Sequence, residues 1–164
     1  MKTLLVVDID NTVAENAQRE HLLPNWDAFF HACDTDTPIV EIINALKPLF
    51  ERDDVDVIFV TGRTGYDEVK SKTQVWLNEH FPERPVFYRP PKNYTKAAVY
   101  KTKVVDQFRT EEHTSIVVVD DDENICTHFT NNGHRAVRIE KDKYQQNAED
   151  ILSLFAHPTR KHSI

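Results

Sequence analysis

Glycine is scarce in this chain. There are three glycines in 164 residues, and no Gly-Lys-Ser/Thr loop is present, which excludes a P-loop kinase half. Cysteine is nearly absent too. Cys33 and Cys126 are the only two, which makes neither a disulfide framework nor a metal-binding pattern, and both are expected as small buried apolar residues in a reducing cytosol. No stretch reaches transmembrane length, and Met1-Lys2-Thr3-Leu4 runs directly into an apolar segment. Neither membrane insertion nor a signal peptide is therefore expected, and the location reads as cytoplasmic. Basic charge is also in deficit: 20 lysines and arginines face 27 acids, for a net charge of −7, the wrong sign for long-range attraction to a polyanion. Internal repeats, low-complexity tracts and long linkers are missing. With 40% hydrophobic content, 164 residues can bury one substantial core, so a single domain over 1–164 with a loose tail over about 157–164 is expected.

Apolar runs of strand length alternate with stretches of helical periodicity. The reading is strands over 3–8, 55–60, 85–88, 115–119 and 135–139, and helices over 25–33, 37–50, 66–80, 93–108, 122–132 and 146–156. Such alternation predicts an α/β fold with a parallel sheet covered on both faces.

Three of the strands end in oxygen-rich segments. Thr3-Leu4-Leu5-Val6-Val7 is a continuous apolar run of the buried parallel type, and it delivers Asp8 and Asp10 to the sheet rim, where open α/β folds bind ligands. Carboxylates one residue apart repel unless a cation sits between them or one holds a proton. An acidic loop with Asp10 or Thr12 as a helix cap is the plainer alternative. The strand over 55–60 leads into Thr61-Gly62-Arg63. There Thr61 can offer a hydroxyl to an oxyanion or cap the following helix, Gly62 permits close approach, and Arg63 can add a charged contact. Ser115 to Val119 ends in Asp120-Asp121-Asp122-Glu123, an acid run suited to a hard divalent ion such as magnesium. On the helix over 93–108, Lys101 falls on the apolar stripe with Ala97, Val104, Val105 and Phe108. A lysine there must reach a polar pocket or a counter-charge, or else snorkel past the edge of the stripe. Together these residues form a phosphoryl-transfer set: a nucleophilic carboxylate, a proton-shuttling carboxylate, phosphate-binding donors and a metal site.

In that order, Asp8-Ile9-Asp10-Asn11-Thr12, then Thr61, Lys101 and Asp120-Asp121, the chain resembles the haloacid dehalogenase-like (HAD) phosphohydrolase superfamily. More narrowly, Trp26-Asp27-Ala28-Phe29-Phe30, Cys33, Pro38, Val60-Thr61-Gly62-Arg63, Thr73, Trp76-Leu77 and Arg89-Pro90 ahead of Tyr94 look like the phosphatase domain of bacteriophage polynucleotide kinase. That domain removes 3′-phosphates from nucleic-acid ends. The resemblance implies a three-layer, Rossmann-like sheet with a small or absent cap, here a helical insert over about 13–37. It implies Asp8 as nucleophile, Asp10 as general acid and base, and Thr61 and Lys101 on the phosphoryl group. Magnesium would lie at Asp8, the Asp10 backbone, Asp120 and Asp121, and a phosphorylated nucleic-acid end would be the substrate.

Thr12, Gly62, Arg63, Arg89 and Arg19 are the expected substrate contacts, and any kinase or ligase partner would be a separate one. Trp26 reads as core beside Phe29 and Phe30. Two positions depart from the family pattern: Asn11 stands where glycine is common, and Asp122 where arginine is usual. The alternatives are a 5′(3′)-nucleotidase or other small-molecule phosphatase, and a receiver-like phospho-signalling module. Chain order disfavours the receiver, since Lys101 precedes Asp120-Asp121.

Overall fold

A computed structural model describes residues 1–156; the expected loose tail, 157–164, lies outside them. Five parallel strands form the sheet: β1 (Lys2–Val7), β4 (Val55–Thr64), β5 (Val86–Arg89), β6 (His113–Asp120) and β7 (Arg135–Arg138), in the order β5-β4-β1-β6-β7. β1 is central because both its faces are apolar: Leu4, Leu5, Val6 and Val7 are all at most 1% exposed.

Side-chain alternation divides the core. Leu4, Val6, Ile58, Val60, Ile116 and Val118 face α4 (Ala97–Phe108) and α5 (Glu123–Asn131) through Tyr100, Val105, Ile125 and Phe129. Leu5, Val7, Val57, Phe59, Val117 and Val119 face the opposite way. There they meet α2 (Val40–Leu46), α3 (Asp67–His80) and α6 (Tyr144–Leu154) through Ile42, Leu46, Trp76, Leu77 and Ile151. The result is the expected α/β fold with helices on both faces, and no helix among the described residues is long and apolar enough to cross a membrane.

From β1 the chain crosses to β4 and β5 on one side, then returns through α4 to β6 on the other. The carboxyl end of β1 is therefore a topological switch point, where such sheets leave a crevice. Between β1 and β4 lies the insert: β2 (Ala14–Glu15) paired antiparallel with β3 (Thr37–Pro38), a 3₁₀ turn over Ala17–Leu22, α1 (Trp26–His31) and a second 3₁₀ turn over Cys33–Thr35.

Three elements differ from the sequence reading. The helix expected over 37–50 starts late, because Thr37 and Pro38 pair as a strand, and its end tightens into a 3₁₀ turn over Lys47–Glu51. Pro48, in the first turn of that segment, lacks the N–H that would continue the α-helical ladder. The helix expected from 93 starts at Ala97, after the Pro90-Pro91 turn and a left-handed Lys92 (φ 63°). β4 runs through Thr64 and pairs Thr64 with Arg89, so Thr61-Gly62-Arg63 lies within a strand and Thr61 does not cap α3.

Leu5 has no exposed surface and sits in the central strand. Truncating it leaves a cavity between close-packed layers, so Leu5→Ala is expected to cost about 2–5 kcal/mol. Guanidinium unfolding should show a lower midpoint at unchanged slope.

Candidate active site

The even-numbered side of β1 faces α4, and Asp8 continues that alternation one residue past the strand. Asp120 closes β6 on the same side. Lys101, on the buried face of α4, reaches both: its Nζ donates to Asp8 Oδ1 at 2.9 Å and to Asp120 Oδ2 at 2.7 Å. The other Asp8 oxygen accepts from the Thr12 hydroxyl at 2.9 Å. Thr12 can turn back this way because Asn11 adopts a left-handed conformation (φ 57°), which asparagine tolerates better than most residues. Asn11 thus fills the conformational role of the glycine common in the family.

Asp8, Asp120 and Asp121 each offer a carboxylate oxygen, and these oxygens lie within 4.8 Å of one another. Three carboxylates face one ammonium. Burial, then the Asp8 charge, pushes the Asp120 carboxyl up to about 6 despite Lys101. Burial and the Asp8 carboxylate push Asp121 further, up to about 9. Burial works against the Lys101 charge, but Asp8 and Asp120 outweigh it and hold the ammonium above its ordinary range. An all-oxygen donor set with excess negative charge fits a hard divalent cation such as magnesium, which would relieve the repulsion.

Asp10 projects elsewhere. Its Oδ1 accepts from Arg19 Nη2 at 2.6 Å and Arg63 Nη2 at 2.9 Å, and its Oδ2 accepts from Arg63 Nε at 3.1 Å. Burial raises its carboxyl, but the two guanidiniums prevail and hold it below the usual range. The same arginines grip Asp36, whose Oδ1 accepts from Arg19 Nε at 2.7 Å and whose Oδ2 accepts from Nη2 of both Arg19 and Arg63 at 2.9 Å. Arg63 Nη1 donates to Thr73 at 2.8 Å, and Arg19 Nη1 to the Phe29 carbonyl at 2.7 Å. Both arginines are 1% exposed.

This arrangement changes several expected roles. Arg19 and Arg63 have their guanidiniums committed to Asp10 and Asp36 rather than presented to substrate. The Thr12 hydroxyl goes to Asp8. Arg89 donates to the Asn93 and Thr95 carbonyls and lies over the Tyr100 ring, so its charge braces the turn before α4. The Thr61 hydroxyl is fully buried and accepts from the Arg63 amide at 3.1 Å. From that segment, it is Gly62 that lines the cavity shared by Asp8, Asp10, Lys101, Asp120 and Asp121. Asp122, in place of arginine, caps α5 by accepting from the Asn124 and Ile125 amides. Trp26 is 56% exposed and belongs to the wall of that cavity instead of the core. Sequence reasoning missed Asp36, which sits among Asp34-Thr35-Asp36-Thr37 and reads as surface. The available signal was a shortage of counter-charge, since two buried arginines need more than Asp10 alone.

The metal-free carboxylate cluster costs stability as pH rises. An acid whose folded value is raised, here from 3.8 to about 9 for Asp121, favours the fold when protonated and penalises it progressively across that window. Asp121→Asn should therefore raise the metal-free melting temperature near about pH 8 and abolish the gain on adding magnesium. Scanning calorimetry with and without the ion measures both, and a wild-type magnesium response in the variant would remove Asp121 from the metal site.

The sequence matches the model of the polynucleotide kinase PNKP phosphatase domain over residues 2–144. No curated protein matches it significantly. Among solved structures it is similar to a chain of a Pnkp1/Rnl/Hen1 complex, with 15% identity and a TM-score of 0.69 over 85% of this chain and 46% of that one. A second, described as the Pnkp1/Rnl/Hen1 RNA repair complex, gives 14% identity and a TM-score of 0.70 over 85% and 42%. The HAD domain of effector protein Lem4 from Legionella pneumophila gives 15% identity and a TM-score of 0.51 over 93% and 94%. This chain thus spans less than half the length of the Pnkp1/Rnl/Hen1 chains it matches, and at these identities the likeness is one of fold. The family match covers most of the sequence and carries the assignment: the chain belongs to the polynucleotide kinase phosphatase-domain family and is a HAD-type phosphatase.

Proposed function

We propose that the chain is a magnesium-dependent phosphomonoesterase that removes 3′-phosphates from nucleic-acid ends through an aspartyl-phosphate on Asp8. The observation that carries this reading is the Asp8 carboxylate at the switch point. It is oriented by Thr12 on one oxygen and Lys101 on the other, in the cavity that also holds Asp10 and Asp121. Asp8 attacks phosphorus as the bond to the leaving O3′ breaks, and Asp10 gives that oxygen its proton. Asp10, now a carboxylate, takes a proton from water as the water attacks phosphorus, freeing Asp8 and inorganic phosphate. Arg19 and Arg63 fix the direction of Asp10 and favour its charged form, which suits the second step; the first requires a proton taken up beforehand. Lys101 lies close enough to Asp8 to donate to a phosphoryl oxygen beside it. A magnesium ion held by Asp8, Asp121 and the Asp10 carbonyl, with Asp120 beside it, would neutralise charge between the attacking carboxylate and the phosphoryl oxygens.

The RNA repair setting of one structural neighbour supports a nucleic-acid end as substrate and a kinase or ligase as partner. The acidic balance and the presence of Glu20 and Asp122 at the cavity wall favour a second reading, a nucleotidase. Phosphate release from 3′- and 5′-phosphorylated oligonucleotides and from 3′- and 5′-mononucleotides, with magnesium or a chelator, tests both. The expectation is activity only with magnesium and preference for the 3′-phosphorylated oligonucleotide. Preference for a mononucleotide establishes the nucleotidase instead. Asp8→Asn should fold and lose nearly all turnover, whereas Asp10→Asn should accumulate phosphoenzyme that can be trapped by acid quench. Normal turnover by Asp8→Asn would remove Asp8 as nucleophile.

A further inference from the structure

The cavity of about 390 Å³ around Asp8 has two unlike kinds of lining. One is the charged floor already described. The other is apolar: Leu23, Trp26, Phe29 and Phe30 form a wall on the insert, and Ala97 and Ile125 contribute from α4 and α5. Its volume falls in the range of sites that enclose small molecules, about 300–1,000 Å³. Phosphoryl chemistry needs only the floor, so the wall is free to meet whatever the phosphate is attached to.

Among these residues Trp26 is the most exposed, at 56%, with Leu23 at 37%, while Phe29 is buried at 6%. Its indole packs edge-on against Phe29 at 5.5 Å between centroids, and Phe30 lies 5.8 Å away. The wall is also tied to the catalytic loop. Arg19 bonds Asp10 with one nitrogen and the Phe29 carbonyl with another, and its guanidinium carbon lies 4.2 Å from the Phe29 ring centroid. At the start of α1, the Asn25 side chain accepts from the Ala28 amide at 3.1 Å. An exposed aromatic face held at a fixed offset from the nucleophile is a preorganised stacking platform, and a flat π-surface suits any base whatever its sequence.

We infer that Trp26 is a substrate-binding residue that stacks on the base of the nucleotide bearing the scissile phosphate. This rests on the proposed function for the identity of the substrate, but it requires only that the substrate is a nucleotide. The enzyme would therefore be selective for phosphate on a base-bearing sugar and indifferent to which base is present.

The test compares kcat/KM for two oligonucleotides that differ only at the 3′-phosphorylated terminal residue, one carrying a base and one an abasic tetrahydrofuran. The unmodified enzyme should favour the base-bearing end by about tenfold, mainly through KM. Trp26→Ala should erase that preference, and Trp26→Phe, which keeps a ring, should retain most of it. A loss of stability or of α1 geometry would depress both substrates together and leave their ratio intact, so an unchanged ratio in Trp26→Ala overturns the inference. So does the absence of any preference in the unmodified enzyme. If no 3′-phosphorylated end is hydrolysed, the proposed function fails separately. The same ratio, measured with a nucleoside 5′-monophosphate and ribose 5-phosphate, then decides the role of Trp26.

Discussion

Two clusters of buried charge meet at the carboxyl edge of the sheet, and their inequality governs the site. Asp10 and Asp36 stand against Arg19 and Arg63, two charges against two, with the arginine N–H groups bonded on several sides. Asp8, Asp120 and Asp121 stand against Lys101 alone. The first cluster is compensated, so its two arginines and Asp36 can be buried at a tolerable desolvation cost, whereas the second carries an excess of acids that a bound proton or an added cation offsets. The balanced cluster fixes Asp10 at the edge of the cavity, and the unbalanced one holds Asp8 and the acids suited to a cation.

This division explains why the folded protein tolerates a costly arrangement. Strand alternation and the switch-point topology force Asp8 and Asp120 onto the same side of the sheet, where α4 covers them. A cover of wholly apolar residues would leave two buried carboxylates without a counter-charge. Lys101 is the one substitution in the apolar stripe of α4 that answers them, so the same side chain completes the core and equips the floor of the cavity.

The strands and most of the site were legible in the sequence because they follow from local pattern. Continuous apolar runs marked β1 and β6, and the acids at their ends gave Asp8, Asp120 and Asp121. Lys101 stood out as a charge on an apolar stripe. The sheet order and the match to the polynucleotide kinase phosphatase-domain family agree with the fold and family read from those runs. What escaped was set by long-range pairing. Arg19 and Arg63 look like free cations in sequence, and only the fold shows Asp36, 17 and 27 residues away from them, occupying their donors. Trp26 was misread for a related reason: its neighbours Phe29 and Phe30 suggest a core cluster, but the end of a six-residue helix leaves its ring at the edge. The limits of β4 were obscured by Thr61-Gly62-Arg63, whose composition suggests a turn; the pairing with β5 is irregular across it and resumes at Thr64.

The double grip of Arg19 on Asp10 and on the Phe29 carbonyl has a kinetic meaning. It fastens the insert to the loop that carries Asp8 and Asp10, which opposes movement of the insert's side of the cavity away from that loop. In the proposed reaction, bulk water would keep access to the phosphorylated aspartate once the alcohol has departed. A tethered, partly open vestibule of this kind would make water the acceptor by sheer abundance and give transfer to a second alcohol little opportunity, which suits a hydrolase better than a phosphotransferase.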